Sequence, residues 1–136
     1  MSDDTNDFTE FMKQRETAAR AYVRGEPGPL EEIVVRALPA TFFGPQGGAL
    51  QGASTVAATY KRDAAAFDNG ETRFEVLQMA ASGGVAYWTG FQHAAARIGG
   101  QDMHMKLRVT EVFRREGDAW KLVHRHADPF SDAKSS

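Results

Sequence analysis

Two histidines near the end of the sequence have the chemistry and the spacing of a proton-transfer site. His124 and His126 are two positions apart, so on a β-strand both side chains point to the same face. Imidazole exchanges protons near neutral pH, which suits histidine to general acid/base catalysis. We therefore predict His124 and His126 as catalytic residues.

The same pair could instead hold a metal ion, with His93 or His104 as a further ligand. A mononuclear site with two histidines also needs a carboxylate, and histidines that form hydrogen bonds in a polar pocket have the same spacing. We expect the second arrangement, with no metal and no cofactor.

Arg108 is the main candidate for ligand binding. We expect it on the helix-covered face of a sheet, where a buried guanidinium needs a partner. That partner is either an acid of this chain, such as Glu10, Glu75 or Asp63, or an anionic ligand. In the second case Arg108 binds a carboxylate or a polarised carbonyl. The other candidate ligand contacts are polar or aromatic: Thr110, Tyr22, Tyr60, Thr89, Phe43 and Phe91.

The overall composition excludes several chemistries. The 136 residues include no cysteine, which rules out disulfides, thiolate zinc sites and a cysteine nucleophile. The 16 lysines and arginines nearly balance the 18 aspartates and glutamates without a run of like charge, so we expect no nucleic-acid binding. The first seven residues are polar, and no stretch of 18 apolar residues occurs. We expect a cytoplasmic protein that does not interact with membranes.

The elements that would position these side chains begin with helices. Asp7 and Glu10 fit a capping pair ahead of apolar residues spaced three and four apart, which predicts a helix over about residues 8–24. Pro29 opens a short second helix that Pro39 ends. The length predicts one domain, residues 1–136, with a core of about residues 7–128 and short polar tails.

A small hairpin over residues 41–51 precedes the third helix, which Ser54 or Thr55 caps and Asn69-Gly70 ends. The hydrophobic period then changes to two, which predicts strands over residues 72–81, 85–98, 102–115 and 119–127. Short glycine-containing turns make these strands sequential antiparallel neighbours. The fold class is therefore α+β, with the helices packed on one face of the sheet.

These elements and several short motifs resemble the nuclear transport factor 2-like superfamily. The motifs are Ala86-Tyr87-Trp88, Arg108-Val109-Thr110, Arg114-Arg115-Glu116-Gly117, Trp120 and His124-Arg125-His126. The closing stretch is most similar to the SnoaL-like and ketosteroid isomerase-like proteins and to the association domain of calcium/calmodulin-dependent kinase II. The resemblance covers nearly the whole chain. It implies a cystatin-like roll, in which a cone-shaped curved antiparallel sheet wraps around three N-terminal helices and leaves a pocket at its open end.

This sequence lacks the carboxylate base that the resemblance to ketosteroid isomerases would require. Those enzymes use a carboxylate base on the strand after the second helix, together with a tyrosine and a protonated acid as oxyanion donors. Residues 38–43, which correspond to that strand, contain no Asp or Glu. Tyr22 remains either a donor in the pocket or a core residue, and a histidine would have to act as the base.

The register of the strands decides which side chains share a face. Counting from the turn at 99–100 places Phe91 opposite Arg108 and Thr89 opposite Thr110. Both faces of this sheet are then substantially apolar. We therefore predict that a second copy covers the outer face, which gives a homodimer, as is common in the resembled family.

The last hairpin leaves two alternatives. A loop with an odd number of residues puts His124 and His126 on the face of Arg108 and Thr110, whereas a two-residue loop turns His124 to the face of Glu111. We favour the first, because the resembled proteins place a polar residue at the position of Thr110 in the pocket.

The predicted function is that of a SnoaL-like protein whose cone pocket binds a small, partly apolar molecule with a carbonyl or carboxylate group. An enzyme of this kind would be a cofactor-free isomerase, cyclase or hydrolase. The alternative is a non-catalytic ligand-binding or oligomerisation module, because one fold supports many functions.

Overall fold

The computed structural model describes residues 3–37 and 39–131. Leu38, expected in the second helix, and residues 132–136 of the expected polar tail lie outside these ranges. The elements in chain order are α1 (Asp3–Tyr22), α2 (Gly28–Ile33), β1 (Thr41–Gly44), β2 (Gly47–Gln51), α3 (Ala53–Ala64), β3 (Phe67–Ser82), β4 (Val85–Ile98), β5 (Gln101–Glu116) and β6 (Ala119–Pro129).

The six strands form one curved, unclosed sheet with the order β2-β1-β6-β5-β4-β3. Strands β3 to β6 are sequential antiparallel neighbours, as the glycine turns predict. The pairing of β1 with β6 is parallel and was not predicted. This pairing joins the β1–β2 hairpin to the long strands. The architecture of helices and one sheet confirms the predicted α+β class.

Helix α1 packs one apolar stripe against the sheet. Phe8, Met12, Ala18 and Ala19 recur at helical spacing and are buried. Phe8 contacts Phe113 of β5, with ring centroids 5.2 Å apart. Asp7 is not the N-cap of α1. The helix already includes Asp3, whereas an N-cap at Asp7 would have started it at residue 8. No helix in the described ranges is both long and apolar enough to cross a membrane.

Two helices end earlier than predicted because their following residues pair with the sheet. Helix α2 ends at Ile33, since Val34 becomes extended and forms a parallel bridge to Leu122. Helix α3 ends at Ala64, and β3 begins at Phe67. The dipeptide Asn69-Gly70 lies in β3 at an irregularity of the register, with a positive φ of 52° at Asn69.

The two faces of the sheet are the reverse of the prediction. The inner face, which the helices cover, carries Trp88, Val109, Glu111 and Phe113, all buried. The outer face carries Arg108 and its cross-strand neighbours. Phe113 packs against Phe8 of α1, and Arg15 of α1 compensates the charge of Glu111. This face can therefore be buried although it carries a carboxylate.

Strand β3 bends where it carries an extra residue. Val76 pairs with Gly90 and Gln78 pairs with Thr89, which leaves Leu77 as a β-bulge. A Cβ atom on Gly90 would lie 2.0 Å from the carbonyl oxygen of Glu75. Glycine at this position therefore permits the close approach of the two strands at the bulge.

Candidate functional site

A cavity of about 480 Å³ lies between the helices and the inner face of the sheet, and we call it the cone cavity. Its polar lining residues are Arg15, Tyr22, Gln46, Thr59, Tyr60, Arg62, Asp63, Gln92 and Arg125. Apolar side chains complete the walls, including Leu30, Phe42, Leu50, Phe67, Ile98 and Met105. Two of the predicted ligand contacts, Tyr22 and Tyr60, line this cavity.

An ion cluster on the inner face borders the cone cavity. Arg15 of α1 donates from Nε to Glu111 Oε1 at 2.9 Å and from Nη2 to Oε2 at 2.6 Å. Arg125 of β6, directly opposite Glu111 in the sheet, donates from Nη1 to Oε2 at 2.6 Å. The side chains of Arg15 and Glu111 are only 3% and 0% exposed.

Neutral side chains hold this cluster in place. Trp88 donates its indole N–H to Glu111 Oε1 at 2.8 Å. Arg125 donates from Nη2 to Gln92 Oε1 at 2.6 Å, and Gln92 donates in turn to Thr72 Oγ1 at 3.0 Å. The guanidinium of Arg125 is therefore held by bonds on two sides.

Glu111 is ionised and fully engaged. Burial alone would raise the pKa of its carboxyl, but the charges and hydrogen bonds of Arg15 and Arg125 outweigh burial and lower it to about 2. Its two oxygens together accept four hydrogen bonds, which fills the acceptor capacity of a carboxylate. Glu111 is therefore a structural anion and a poor base.

Two buried donors of the cone cavity have no hydrogen-bond partner among the described residues. They are Nη1 of Arg15 and the hydroxyl of Tyr60, which is 4% exposed as a residue. Burial raises the pKa of Tyr60 and of Tyr22, so both phenols stay protonated. A buried donor without an acceptor is costly, and each of these groups is able to donate to an oxygen atom of a ligand.

Arg108 lies on the outer face and is paired. Its side chain is 63% exposed, and it donates from Nε and Nη2 to the two carboxylate oxygens of Asp128 at 2.8 and 2.9 Å. The alternative of an internal ion pair is thus the one observed, although its partner is Asp128. The prediction that Arg108 lies under the helices is wrong.

The other predicted contacts also divide between the faces. Thr89 and Thr110 form a hydrogen bond of 3.1 Å on the outer face, and Thr89 also donates to the carbonyl of Val109. The ring of Phe91 contacts that of Phe130 there at a tilt of 60°, with centroids 4.9 Å apart. The structure therefore does not bring these side chains together with Tyr22 and Tyr60.

His124 and His126 lie on the outer face with Arg108 and Thr110, as we favoured. The route differs from the expected one, because the hairpin loop has two residues and a bulge at Val123 restores the alignment. The ring of Phe43 contacts both imidazoles, and Thr41 Oγ1 lies 2.7 Å from His124 Nδ1. Burial and the neighbouring His126 lower the pKa of His124. A catalytic role for the pair stays a prediction.

A shallow depression of about 490 Å³ lies beside these histidines, and we call it the outer depression. Phe43, Ala49, His126 and Asp128 line it together with glycines of the β1–β2 hairpin. Unlike the cone cavity, it contains none of the buried donors without a partner. No group of three or more His, Asp or Glu residues in the described ranges is arranged to hold a metal ion.

The family model described as a SnoaL-like domain matches residues 37–130. The chain belongs to the SnoaL-like family. No curated protein matches its sequence significantly.

Solved structures share the fold of this SnoaL-like domain at low sequence identity. A nuclear transport factor 2-like superfamily protein from Salmonella enterica is 17% identical, covers 96% of each chain and has a TM-score of 0.81. A structure described as a candidate dehydratase of the same superfamily, from Streptomyces avermitilis, is 22% identical over 93% of this chain and 98% of its own, with a TM-score of 0.78. The calcium/calmodulin-dependent kinase II hub of S. rosetta is 17% identical over 88% and 94%, with a TM-score of 0.67. The predicted resemblance is confirmed at the level of the fold.

Sequence reasoning missed the ion cluster of this SnoaL-like domain, although two signals were present. Arg15 falls within the apolar stripe of α1, between Met12 and Ala18. Glu111 falls between Val109 and Phe113 on the apolar face of β5. One charge of each sign inside an apolar pattern indicates a buried ion pair.

Proposed function

We propose that the cone cavity binds a small, partly apolar molecule through a carboxylate or carbonyl oxygen. The observation that carries this proposal is the pair of buried donors, Arg15 Nη1 and Tyr60 hydroxyl, left without partners at one cavity. The cavity volume of about 480 Å³ falls within the range of small-molecule sites. We keep the expectation of a cytoplasmic protein that needs no cofactor.

Ligand binding is better supported than catalysis in this cavity. None of the four histidines is among the lining residues, and Glu111 has no free acceptor position. Asp63 is the carboxylate that lines the cavity, and it receives contacts of 3.4 Å from Arg62 at the cavity mouth. An acid/base reaction in the cone would therefore depend on Asp63 and on the protonated tyrosines.

Two substitutions on neighbouring residues of β2 test the location. Leu50 lines the cone cavity and Ala49 lines the outer depression, so Leu50→Trp fills the first and Ala49→Trp fills the second. A library of small aromatic and aliphatic acids, ketones and amides is screened by NMR chemical-shift changes. We expect hits with wild-type protein and with Ala49→Trp, and at least a ten-fold loss of affinity with Leu50→Trp.

Loss of binding in Ala49→Trp alone would place the ligand in the outer depression and overturn the proposal. Absence of any hit at millimolar concentrations would overturn it as well.

A second candidate function, assembly through the outer face, is favoured by a separate observation. Tyr87, Phe91 and Val112 occupy an outer face on which no helix packs within the described ranges. The hub and the association domain of calcium/calmodulin-dependent kinase II are similar in fold. We propose a homodimer in which two outer faces pack together.

A further inference from the structure

The charges around the cone cavity do not cancel. Arg15 and Arg125 both bind the single carboxylate of Glu111, which leaves one positive charge in a buried cluster. At the mouth, Arg62 and Asp63 form a contact of 3.4 Å and balance each other. Gln92, the remaining partner of Arg125, is a neutral amide.

This excess charge persists over the physiological pH range. Glu111 is ionised, and both arginines are cationic, since an arginine side chain does not lose its proton in a protein. The phenols of Tyr22 and Tyr60 are neutral. A buried charge without a counter-ion is unfavourable, so the cavity should prefer an occupant with one negative charge.

The donors of the cavity also fit a carboxylate better than a carbonyl. A neutral carbonyl oxygen could accept from Arg15 Nη1 and from Tyr60, but it would leave the positive charge uncompensated. A carboxylate accepts both bonds and supplies the missing charge. Its bond from the neutral hydroxyl of Tyr60 is then charge-assisted as well, and such bonds are about twice as strong as neutral ones. A dianion would exceed the available charge.

We propose that the cone cavity selects monocarboxylates with an apolar body, and that Arg15 and Tyr60 bind the carboxylate while Gln92 preserves the positive charge of the cluster. This inference rests on the proposed function, because it names the ligand class of the same site. The apolar body would lie against apolar side chains of the lining, such as Phe42, Phe67 and Met105.

Pairs of ligands that differ only in charge test the selectivity. The probes are 3-phenylpropanoate with 3-phenylpropanamide and 4-methylpentanoate with 4-methylpentanamide, titrated at pH 7 by NMR. We expect wild-type protein to bind each acid at least ten-fold more tightly than its amide, with shifts at residues of the cone cavity.

Gln92→Glu tests the role of charge with almost no change of shape. It places a carboxylate beside Arg125 Nη2, now 2.6 Å from Gln92 Oε1, and removes the excess positive charge. We expect the affinity for the acids to fall at least ten-fold while the affinity for the amides changes less than two-fold. Arg114→Gln is the matched control, because it alters the net charge equally at an exposed position outside the cavity lining. It should leave both affinities unchanged.

Tyr60→Phe gives a second, independent readout, since it removes only the hydroxyl group. We expect it to weaken acid binding about five-fold or more, in line with the loss of one charge-assisted bond. The NMR spectrum of each variant checks its fold, and Tyr60→Phe with the wild-type comparison decides the question if Gln92→Glu does not fold.

The outcomes separate this inference from the proposed function. Equal binding of acid and amide by wild-type protein, or acid binding that is unaffected in both Gln92→Glu and Tyr60→Phe, overturns the selectivity alone. Failure of every acid and every amide to bind overturns the selectivity and the proposed function together.

Discussion

Glu111 and Arg15 illustrate how single residues of this protein connect stability with the site. Glu111 accepts bonds from Arg15, Arg125 and Trp88, which lie on three different elements. Removing one partner of a buried ion pair lowers the stability by much more than the pair contributes to it, since the other charge is left buried and uncompensated. The cluster that gives the cone its charge is therefore also a tie between α1 and the sheet.

Acid should weaken the ion cluster that Glu111 forms with Arg15 and Arg125. The pKa of Glu111 is about 2 in the folded protein and 4.5 in its ordinary state, so its contribution to stability is complete above pH 4.5 and is lost as the pH falls towards 2. The difference corresponds to about 3 kcal/mol. We expect urea unfolding between pH 5 and pH 2 to show this loss in the wild-type protein.

Glu111→Gln should be less stable at pH 7 by about 3–5 kcal/mol and should lose less stability on acidification than wild type. Glu71→Gln, at an exposed position of β3, serves as the control and should keep the wild-type acid dependence. If wild type and Glu111→Gln lost equal stability on acidification, the result would contradict the low pKa of Glu111.

The candidate residues could be predicted from sequence only in part. Tyr22 and Tyr60 were assigned to the pocket, and both line it. Arg108 was predicted because it stands in a clear β-alternation. Arg15 was missed, because its role depends on Glu111, a residue 96 positions away. A pattern within one element does not contain that contact.

At the scale of elements, the bulge at Leu77 and the glycine opposite it shape the cone. The extra residue bends β3, and Gly90 of β4 lets the backbone at Glu75 approach closely. Bulges increase the local twist of a strand, so this pair contributes to the curvature that encloses the cavity.

Gly90→Ala should destabilise the protein strongly. Its Cβ would lie 2.0 Å from Glu75 O and 2.9 Å from Leu77 N, both backbone atoms that cannot rotate away. We expect a loss of about 3 kcal/mol or more in the free energy of unfolding, measured by urea titration.

Gly28→Ala is the matched control, because a Cβ at Gly28 would meet no atom within 4 Å. It should change the free energy of unfolding by less than about 1 kcal/mol. Similar stabilities of the two variants would show that the strands at Gly90 can separate without cost.

Elements bounded by turn glycines were predicted accurately, and those bounded by pairing partners were not. Strand β4 runs over Val85–Ile98 as predicted, between turns whose glycines have positive φ angles. The start of β3 was missed because Phe67 pairs with Ile98, a contact across the sheet that overrides the stop signal at Asn69. The choice of the inner face failed because both faces carry apolar residues.

For the whole molecule, the proposed homodimer depends on the outer face. Tyr87 is 37% exposed and Val85 is 49% exposed, and both belong to the set of large hydrophobic side chains that contact solvent. Val112 lies between Tyr87 and His124 at the centre of this face. A second copy would remove this apolar surface from water.

Val112→Glu should abolish the dimer. Light scattering after size exclusion should give twice the chain mass of 14.9 kDa for wild type and a single chain mass for the variant. Met103→Glu is the control, because Met103 is 42% exposed but shares the face of Met105. A monomeric wild type at 100 µM, or a dimeric Val112→Glu, would contradict assembly through the outer face.

The position of β6 bears on how the protein is made. This strand is the last to be synthesised of the six, yet it lies between β1 and β5 and carries Arg125. While the ribosome has released only β1 to β5, the hairpin has no long strand to join and Glu111 has one cation instead of two. We therefore expect the nascent chain to expose Glu111 and the apolar sheet until Pro129 has emerged. Chaperone binding should concentrate in that interval, since exposed apolar surface and unpaired strand edges make partly folded chains prone to aggregation.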